Sequence, residues 1–369
     1  MKFSCTTINL RNGLSIVAHV ASKAANLPIL SNILIKVERG GVKFVATNLE
    51  VAVSTLVRGK VEGEGIITAQ AKLLSDLVNL LPSEKIDVEV QGTDLTIITD
   101  RQQSTLRGMV ADDFPVIPQI EGGIKYTIAA QELAHAIAQT AFAVNPDEGR
   151  PEISGVYMKL GPESVLAATD SYRLAERQLP SQVGEKESIV IVPLRAIQEL
   201  ARILSLVSVD SVEVVVTESQ IMWRLDDTEL ISRVVAGQYP DYKQIIPKAF
   251  SSRAVVDRGQ LLSAVRSTSL FVRSGINDVK ISLEPETKKL LVAATNSQVG
   301  ESAVDLPTSE LSGGVQDIVF NYRYLLDGLQ AITTNEVALE VVDGRNPGVL
   351  RPVGEVAGKY LYIIMPIRQ

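Results

Sequence analysis

Three times this chain leaves a β-rich run through the same pair of residues: TNLEVAV from Thr47, TDSYRLA from Thr169 and TNSQVGE from Thr295. The intervals are 122 and 126 residues. Solenoid units repeat every ~20–50 residues, so a period of this size belongs to a domain rather than to a stacking unit. Each pair closes a similar approach: LPILSNILIKVERGGVKFVATN, RPEISGVYMKLGPESVLAATD and GINDVKISLEPETKKLLVAATN. All three read as a strand, a polar turn (ERGG, GPES or EPETKK) and a second β-rich run, the pattern of a hairpin. Only the middle copy continues with Tyr-Arg-Leu. The scaffold alone does not explain that departure.

Other landmarks keep step with the pairs. AKLLSDL from Ala71, LRAIQEL from Leu194 and YRYLLDGL from Tyr322 carry apolar residues at helical spacing, and the Val-Pro before Leu194 marks a helix start. In each, a basic residue precedes an acidic one by four: Lys72/Asp76, Arg195/Glu199 and Arg323/Asp327. An earlier amphipathic segment recurs at residues 7–21, 129–143 and 258–271. Each repeat is expected to close on an aromatic–proline or Met-Pro strand: DFPVIP at 113, QYPDYKQIIP at 238 and YIIMPIR at 362. The fold class is therefore α+β, one unit of two helices packed on antiparallel sheet, present three times. The joints fall in QIEGGIK (119–125) and IIPKAFSSR (245–253), which sets domains at 1–122, 123–249 and 250–369.

Composition narrows the function classes. At 46% hydrophobic and 21% charged, the 369 residues hold enough apolar material for several cores. No apolar run reaches the ~18 residues of a membrane span, so no membrane partner is expected. The start, MKFSCTTINLRNG, lacks the apolar stretch of a secretory signal. A single cysteine, Cys5, fits a reducing cytoplasm. There is no phosphate-cradling glycine loop and no nucleophile elbow. His19 and His135 lie far apart without metal-ligand companions, and both suit surface or helix-packing roles. Asp112-Asp113 and Asp226-Asp227 sit where the pattern demands turns. Neither a catalytic centre nor a metal or cofactor site is expected.

With a net charge of −7, nucleic-acid binding would need a local basic surface. Arg195 and Arg202 are seven apart, hence on one helix face. Lys72 and Arg323 hold the position of Arg195 in the other two repeats. A basic rim facing phosphates and a salt-bridged solvated helix face, with Lys72–Asp76 as an i,i+4 pair, both fit this pattern. No aromatic interleaving suggests base stacking, so contact without sequence readout is the natural form of the first.

Taken together, MKF at the start, LPILSNI at 27, TDSYRLA at 169, IVPLRAIQEL at 191, PDYKQIIP at 240 and MPIR near the end resemble the bacterial sliding clamps, the beta subunit of DNA polymerase III. The resemblance spans the whole chain. It implies a head-to-tail homodimer, two chains of three domains closing a six-domain ring with helices around duplex DNA. It also implies that the replicative polymerase, the clamp loader and other partners are tethered through a short peptide motif, led by Gln and ending in apolar residues. Carried over position by position, the peptide pocket comprises Ile153, Thr169, Ser171, Tyr172, Arg173, Leu174, Pro240 and Ile245 from the second repeat. Asn321, Tyr324, Arg345, Met365, Pro366 and Ile367 come from the third. The DNA-facing set is Lys23, Lys72, Arg195, Arg202 and Arg323, with Lys23 standing beside Ala24, where some relatives carry arginine. Many relatives have Gly-His where this chain has Ser171-Tyr172. Leu270 and Phe271 would meet Leu106 of the other subunit.

Two other readings remain open on the residues alone. A three-domain scaffold could bind proteins without encircling DNA, and retention on closed circular DNA separates the two. An enzyme would need a convergent cluster that the spacing does not show. The interface assignment has its own test. A buried charge costs several kcal/mol, so Leu270→Asp is expected to yield folded monomers, whereas sedimentation as a dimer at micromolar concentration would refute the assignment.

Overall fold

A computed structural model describes residues 1–21, 27–117, 120–147, 149–179, 183–272, 275–354 and 359–368. Six α-helices are among them: α1 (Thr7–Val17), α2 (Ala71–Leu80), α3 (Ala130–Thr140), α4 (Leu194–Leu206), α5 (Arg258–Thr268) and α6 (Tyr322–Ala331). The later helix of each repeat starts on the residue that the pattern marks. Polar side chains define several of the starts. Thr6 accepts from the Asn9 N–H, Asp257 from Gln260 and Asn321 from Arg323, each satisfying a donor that a first turn leaves unpaired.

Residues 1–131 and 195–234 form one compact unit; residues 132–194 and 235–369 form another. The first holds an eight-stranded antiparallel sheet and a five-stranded one. Its hairpin Asn32–Glu38/Gly41–Thr47 leads through the Thr47 turn into Val51–Val57, which pairs with Thr228–Arg233, Val53 opposite Leu230. The second unit holds a nine-stranded sheet and a four-stranded one. There the hairpin Gly155–Leu160/Val165–Thr169 leads into Arg173–Gln178, which pairs with Tyr360–Ile364, Leu174 opposite Ile363. In both units, the strand after a Thr-Asx turn is joined to the last strand of the following repeat. The joints are apolar: Val53, Leu230, Leu174 and Ile363 are all fully buried, each side chain contributing ~1.5–3 kcal/mol.

The third copy differs. Asp278–Glu284 and Lys289–Asn296 form the hairpin, but the strand after its turn, Gly300–Pro307, is an edge of the four-stranded sheet. Gln103–Arg107, which closes the first repeat as Thr228–Arg233 closes the second, is likewise an edge of the five-stranded sheet.

The aromatic–proline segments are a correction to the sequence reading. Residues 113–117 form no strand, and Tyr242–Ile245 is a 3-10 turn. Pro115, Pro240 and Pro247 lack the N–H that a ladder requires. Only Tyr360–Ile364 is a strand, ending just before Met365-Pro366. Asp226 has φ of 52° in the tight turn before Thr228, and Asp227 accepts from Arg58 at 3.0 Å. Cys5 is buried in the first strand, where desolvation and then the nearby Asp87 carboxylate push its thiol up to about 12.

One glycine fixes how α6 meets its sheet. Gly328 is buried beneath Tyr362, and a β-carbon there would run into that ring. Tyr362 in turn donates its hydroxyl to the Tyr324 carbonyl at 2.9 Å. Alanine would gain ~1 kcal/mol of helix propensity but overpack a filled site at ~1–3 kcal/mol. Gly328→Ala is therefore expected to be neutral to ~2 kcal/mol less stable in urea unfolding. A variant more stable than the parent would show that the Tyr362 ring is free to move aside.

Candidate functional site

The turn after Thr169 is built by its first two side chains. Thr169 Oγ1 donates to the Arg173 carbonyl at 2.6 Å and accepts from the Ser171 N–H at 3.1 Å. Asp170 Oδ1 accepts from the N–H groups of Tyr172 (2.9 Å) and Arg173 (3.0 Å). Ser171 is held at φ 77°. The turn at Thr47 makes the same four bonds with Thr47 and Asn48, and Leu49 sits at φ 76°. In these two copies the Thr-Asx pair makes a self-capped turn that holds the third residue in the left-handed region. In the third copy Asn296 accepts from the Gln298 N–H at 3.0 Å.

In the second unit this turn borders an apolar cluster. Ile153, Leu174, Tyr239, Tyr242, Val349 and Ile363 are buried together, with Tyr157 and Ile246 packed against them. The rings of Tyr157 and Tyr239 lie 5.1 Å apart, and Tyr242 stands edge-on to both. Tyr242 donates to Glu176 at 2.6 Å, and burial followed by that carboxylate pushes its phenol up. Pro240 and Ile245 are exposed at the two ends of the Tyr242 turn. Across the joint, the Met365 N–H donates to the Tyr172 carbonyl at 2.9 Å. Tyr172 stacks on Tyr324 with centroids 6.4 Å apart and ring planes at 21°. The Ile367 N–H donates to Val319, and Ile367 lines a surface groove with Arg345 and Arg368. Asn321 caps α6, and Pro366 is partly buried. Tyr157, Tyr239, Tyr242 and Val349 escape a reading based on the resemblance. The aromatic spacing in QYPDY was a signal for Tyr239 and Tyr242 only; Tyr157 and Val349 had none.

The basic positions divide by what holds them. Lys72, Arg195 and Arg323 are exposed and form no ion pair among the described residues; Arg323 donates only to Tyr322 at 3.4 Å. The i,i+4 pairs suggested by the sequence do not form. Glu199 is buried and engaged by Arg202 and by His19 at 2.7 Å, while Asp327 is taken by Arg173. Arg202 is occupied: besides Glu199 it donates to the carbonyls of Ser15, at 2.7 Å, and Ile16, so it clasps the end of α1. Lys23 lies outside the described residues.

Of the expected interface residues, Leu270 is 75% exposed and Phe271 partly so. Leu106 is 5% exposed, already packed in its own core. Two apolar residues missed by sequence reasoning stand out on α2: Leu80, 81% exposed, and Leu73. Their signal was internal. The position of Leu80 is filled by the buried Ile203 in α4.

Comparison with known proteins identifies the family. Models of the N-terminal, central and C-terminal domains of the DNA polymerase III beta subunit match residues 1–118, 127–241 and 243–368. The beta sliding clamp of Synechococcus elongatus is 32% identical over 376 aligned positions, covering 100% of this chain and 99% of that protein. That of Bacillus subtilis is 29% identical, covering 100% of both. Among solved structures, a Pseudomonas aeruginosa sliding clamp bound to griselimycin superposes with a TM-score of 0.94 at 29% identity over 100% of both chains. The Thermotoga maritima beta subunit gives 0.93 at 27%, over 100% of this chain and 99% of that one. With three domain models in order and full-length relatives on both sides, this chain belongs to the beta sliding clamp family, the beta subunit of DNA polymerase III.

Proposed function

We propose that two copies of this DNA sliding clamp close head to tail into a ring around duplex DNA. In the cytoplasm, that ring tethers the replicative polymerase, the clamp loader and other partners by a short peptide seated beside Tyr172 and Met365. The chain carries no catalytic centre in this reading. The domains run 1–122, 123–249 and 250–369.

The observation that carries the reading is a pair of unpaired edges. Two copies of the same strand joint are made within the chain, and a third would need Gly300–Pro307 to meet Gln103–Arg107. One chain leaves both halves open; two chains joined head to tail satisfy both twice and close the assembly. The helix ends support the same pairing. His19, just past α1, meets Glu199 of α4, and Phe142, just past α3, meets Arg173, which binds Asp327 of α6. Leu270 holds the matching place past α5, and the bare Leu73 and Leu80 of α2 are its natural counterparts in a second copy. Leu106 then contributes through its backbone rather than its side chain.

For DNA, the unpaired Lys72, Arg195 and Arg323 supply weak phosphate contact without readout, which suits a ring that holds by topology. Replacing all three by Ala is expected to leave the dimer intact, shorten its retention on nicked circular DNA and flatten the salt dependence, by roughly 0.9 in log–log slope for each phosphate that is no longer neutralised. An unchanged slope would place these residues off the DNA. Retention that does not depend on whether the DNA is circular or linear would favour a scaffold that binds without encircling.

For the pocket, deleting residues 365–369 removes the Met365 and Ile367 wall and its hydrogen bond to Tyr172. Affinity for a polymerase-motif peptide is expected to fall by ~2–4 kcal/mol, the range for interface hot spots, with dimer mass unchanged. Equal affinity of the truncated and full-length chains would overturn the pocket.

A further inference from the structure

Arg173 sits in the middle of the pocket residues, yet little of it is left for a ligand. Its side chain is 12% exposed. Nε donates to Asp170 at 2.9 Å, Nη1 to Asp327 of α6 and Nη2 to the Phe142 carbonyl at 2.8 Å. The guanidinium carbon also lies 4.7 Å from the Tyr324 ring centroid and 5.4 Å from that of Phe142, within cation–π reach of both. A guanidinium has five N–H donors in a fixed fork, and three of these are committed to groups of the protein itself.

The turn does not need this arginine. Thr47–Val51 folds with the same hydrogen bonds and the same left-handed third residue, although Val51 stands in the place of Arg173. Removing a guanidinium from water is costly unless it is paired well, so its use at one copy of a shared turn points to a local task. The residues it touches indicate that task. Tyr172, next in the chain, is 62% exposed and stacks on Tyr324, and its carbonyl holds the Met365 N–H. Tyr324 is one helical turn before Asp327. The fork therefore fastens both members of the ring pair, one through its own backbone and one through α6.

We propose that Arg173 is a positioning residue for partner recognition. It does not touch the peptide; it locks the Tyr172 turn onto α6 so that Tyr172 and Tyr324 stand as one fixed aromatic wall beside Met365. The proposal rests on the pocket reading above. It makes Asp327, on a different repeat, part of the same device.

The test avoids removing Arg173, since that variant could fail to fold. Asp327→Asn keeps an acceptor on a half-exposed side chain while removing the charge that holds Nη1. Binding of a fluorescent Gln-led peptide with apolar terminal residues is measured by anisotropy for the parent, Asp327→Asn, Tyr172→Ala and the double variant. The thermal midpoint is recorded for each. Loss of one charge-assisted hydrogen bond corresponds to about tenfold in affinity. Asp327→Asn is expected to show a loss of that order with its midpoint nearly unchanged, and to add nothing in the Tyr172→Ala background. Arg173→Lys, which keeps the charge but not the fork, is expected to resemble Asp327→Asn. Additive losses in the double variant, no loss in Asp327→Asn, or a loss that merely follows the thermal midpoint would each overturn the proposal while leaving the pocket standing. Failure of the parent chain to bind the peptide would bring down the pocket reading, and this proposal with it.

Discussion

The architecture depends on one antiparallel joint, used repeatedly. A strand that leaves a Thr-Asx turn finds the last strand of the next repeat, with a fully buried apolar pair at its centre: Val53 with Leu230, and Leu174 with Ile363. Backbone groups on a sheet edge must be paired, covered or solvated. The joint pairs them and extends the sheet from one repeat into the next. A chain of three such repeats has two joints and necessarily ends with half a joint at either extremity. The open edges at Gln103–Arg107 and Gly300–Pro307 are thus a consequence of the repeat itself. On the proposed reading, association between copies completes that pattern rather than inventing a new surface.

The same economy would let the proposed binding site be added without a new fold. The turn at Thr47 and the turn at Thr169 share backbone, hydrogen bonds and strain. What differs is cargo: Leu49-Glu50-Val51 in one, Ser171-Tyr172-Arg173 in the other. A self-capped turn tolerates such exchange because its stability resides in the first two side chains. The third, fourth and fifth are free to diverge. Arg150 donates to the Ser171 hydroxyl at 2.8 Å, a bond that glycine at this position could not accept. Ser171 therefore adds a contact at the rim of the proposed site on the same backbone that the Thr47 turn adopts.

Much of this was legible in the sequence, and the reasons are physical. Hairpins and helix starts were visible because period-two and period-3.6 patterns are local properties. The α6 start is marked by an Asn cap, and α4 follows Val-Pro. The closing aromatic–proline segments were misread as strands because their apolar content resembles one, whereas their prolines cannot serve a ladder. The turn residues of the proposed pocket came from the resemblance, but the tyrosine cluster beside them did not. Tyr157 meets Tyr239 and Tyr242 from a separate element, and that convergence is a tertiary fact. Helix charges failed for a related reason. An acidic residue four along from a basic one suggests a pair, yet in α4 and α6 a different basic residue took the carboxylate, from the same helix or from another element. Glu199 went to Arg202 and His19, and Asp327 to Arg173.

On the proposed reading, that diversion of carboxylates bears on how a chain of net charge −7 meets the phosphates of DNA. If Glu199 and Asp327 neutralised Arg195 and Arg323, the helices would offer phosphates nothing. If every cation were free, phosphate affinity would grow steeply with each added cation and resist sliding. The structure sits between these limits. Arg202 is spent on the carbonyls that end α1, where a cation also complements the helix dipole. Arg173 is spent on Asp170 and Asp327. Among the described residues, the first basic position of each later helix remains exposed and without an ion pair, giving one such cation per repeat. Residues that look alike in a charge count thus do opposite things, and the division between them is made by which carboxylate or carbonyl reaches each guanidinium first.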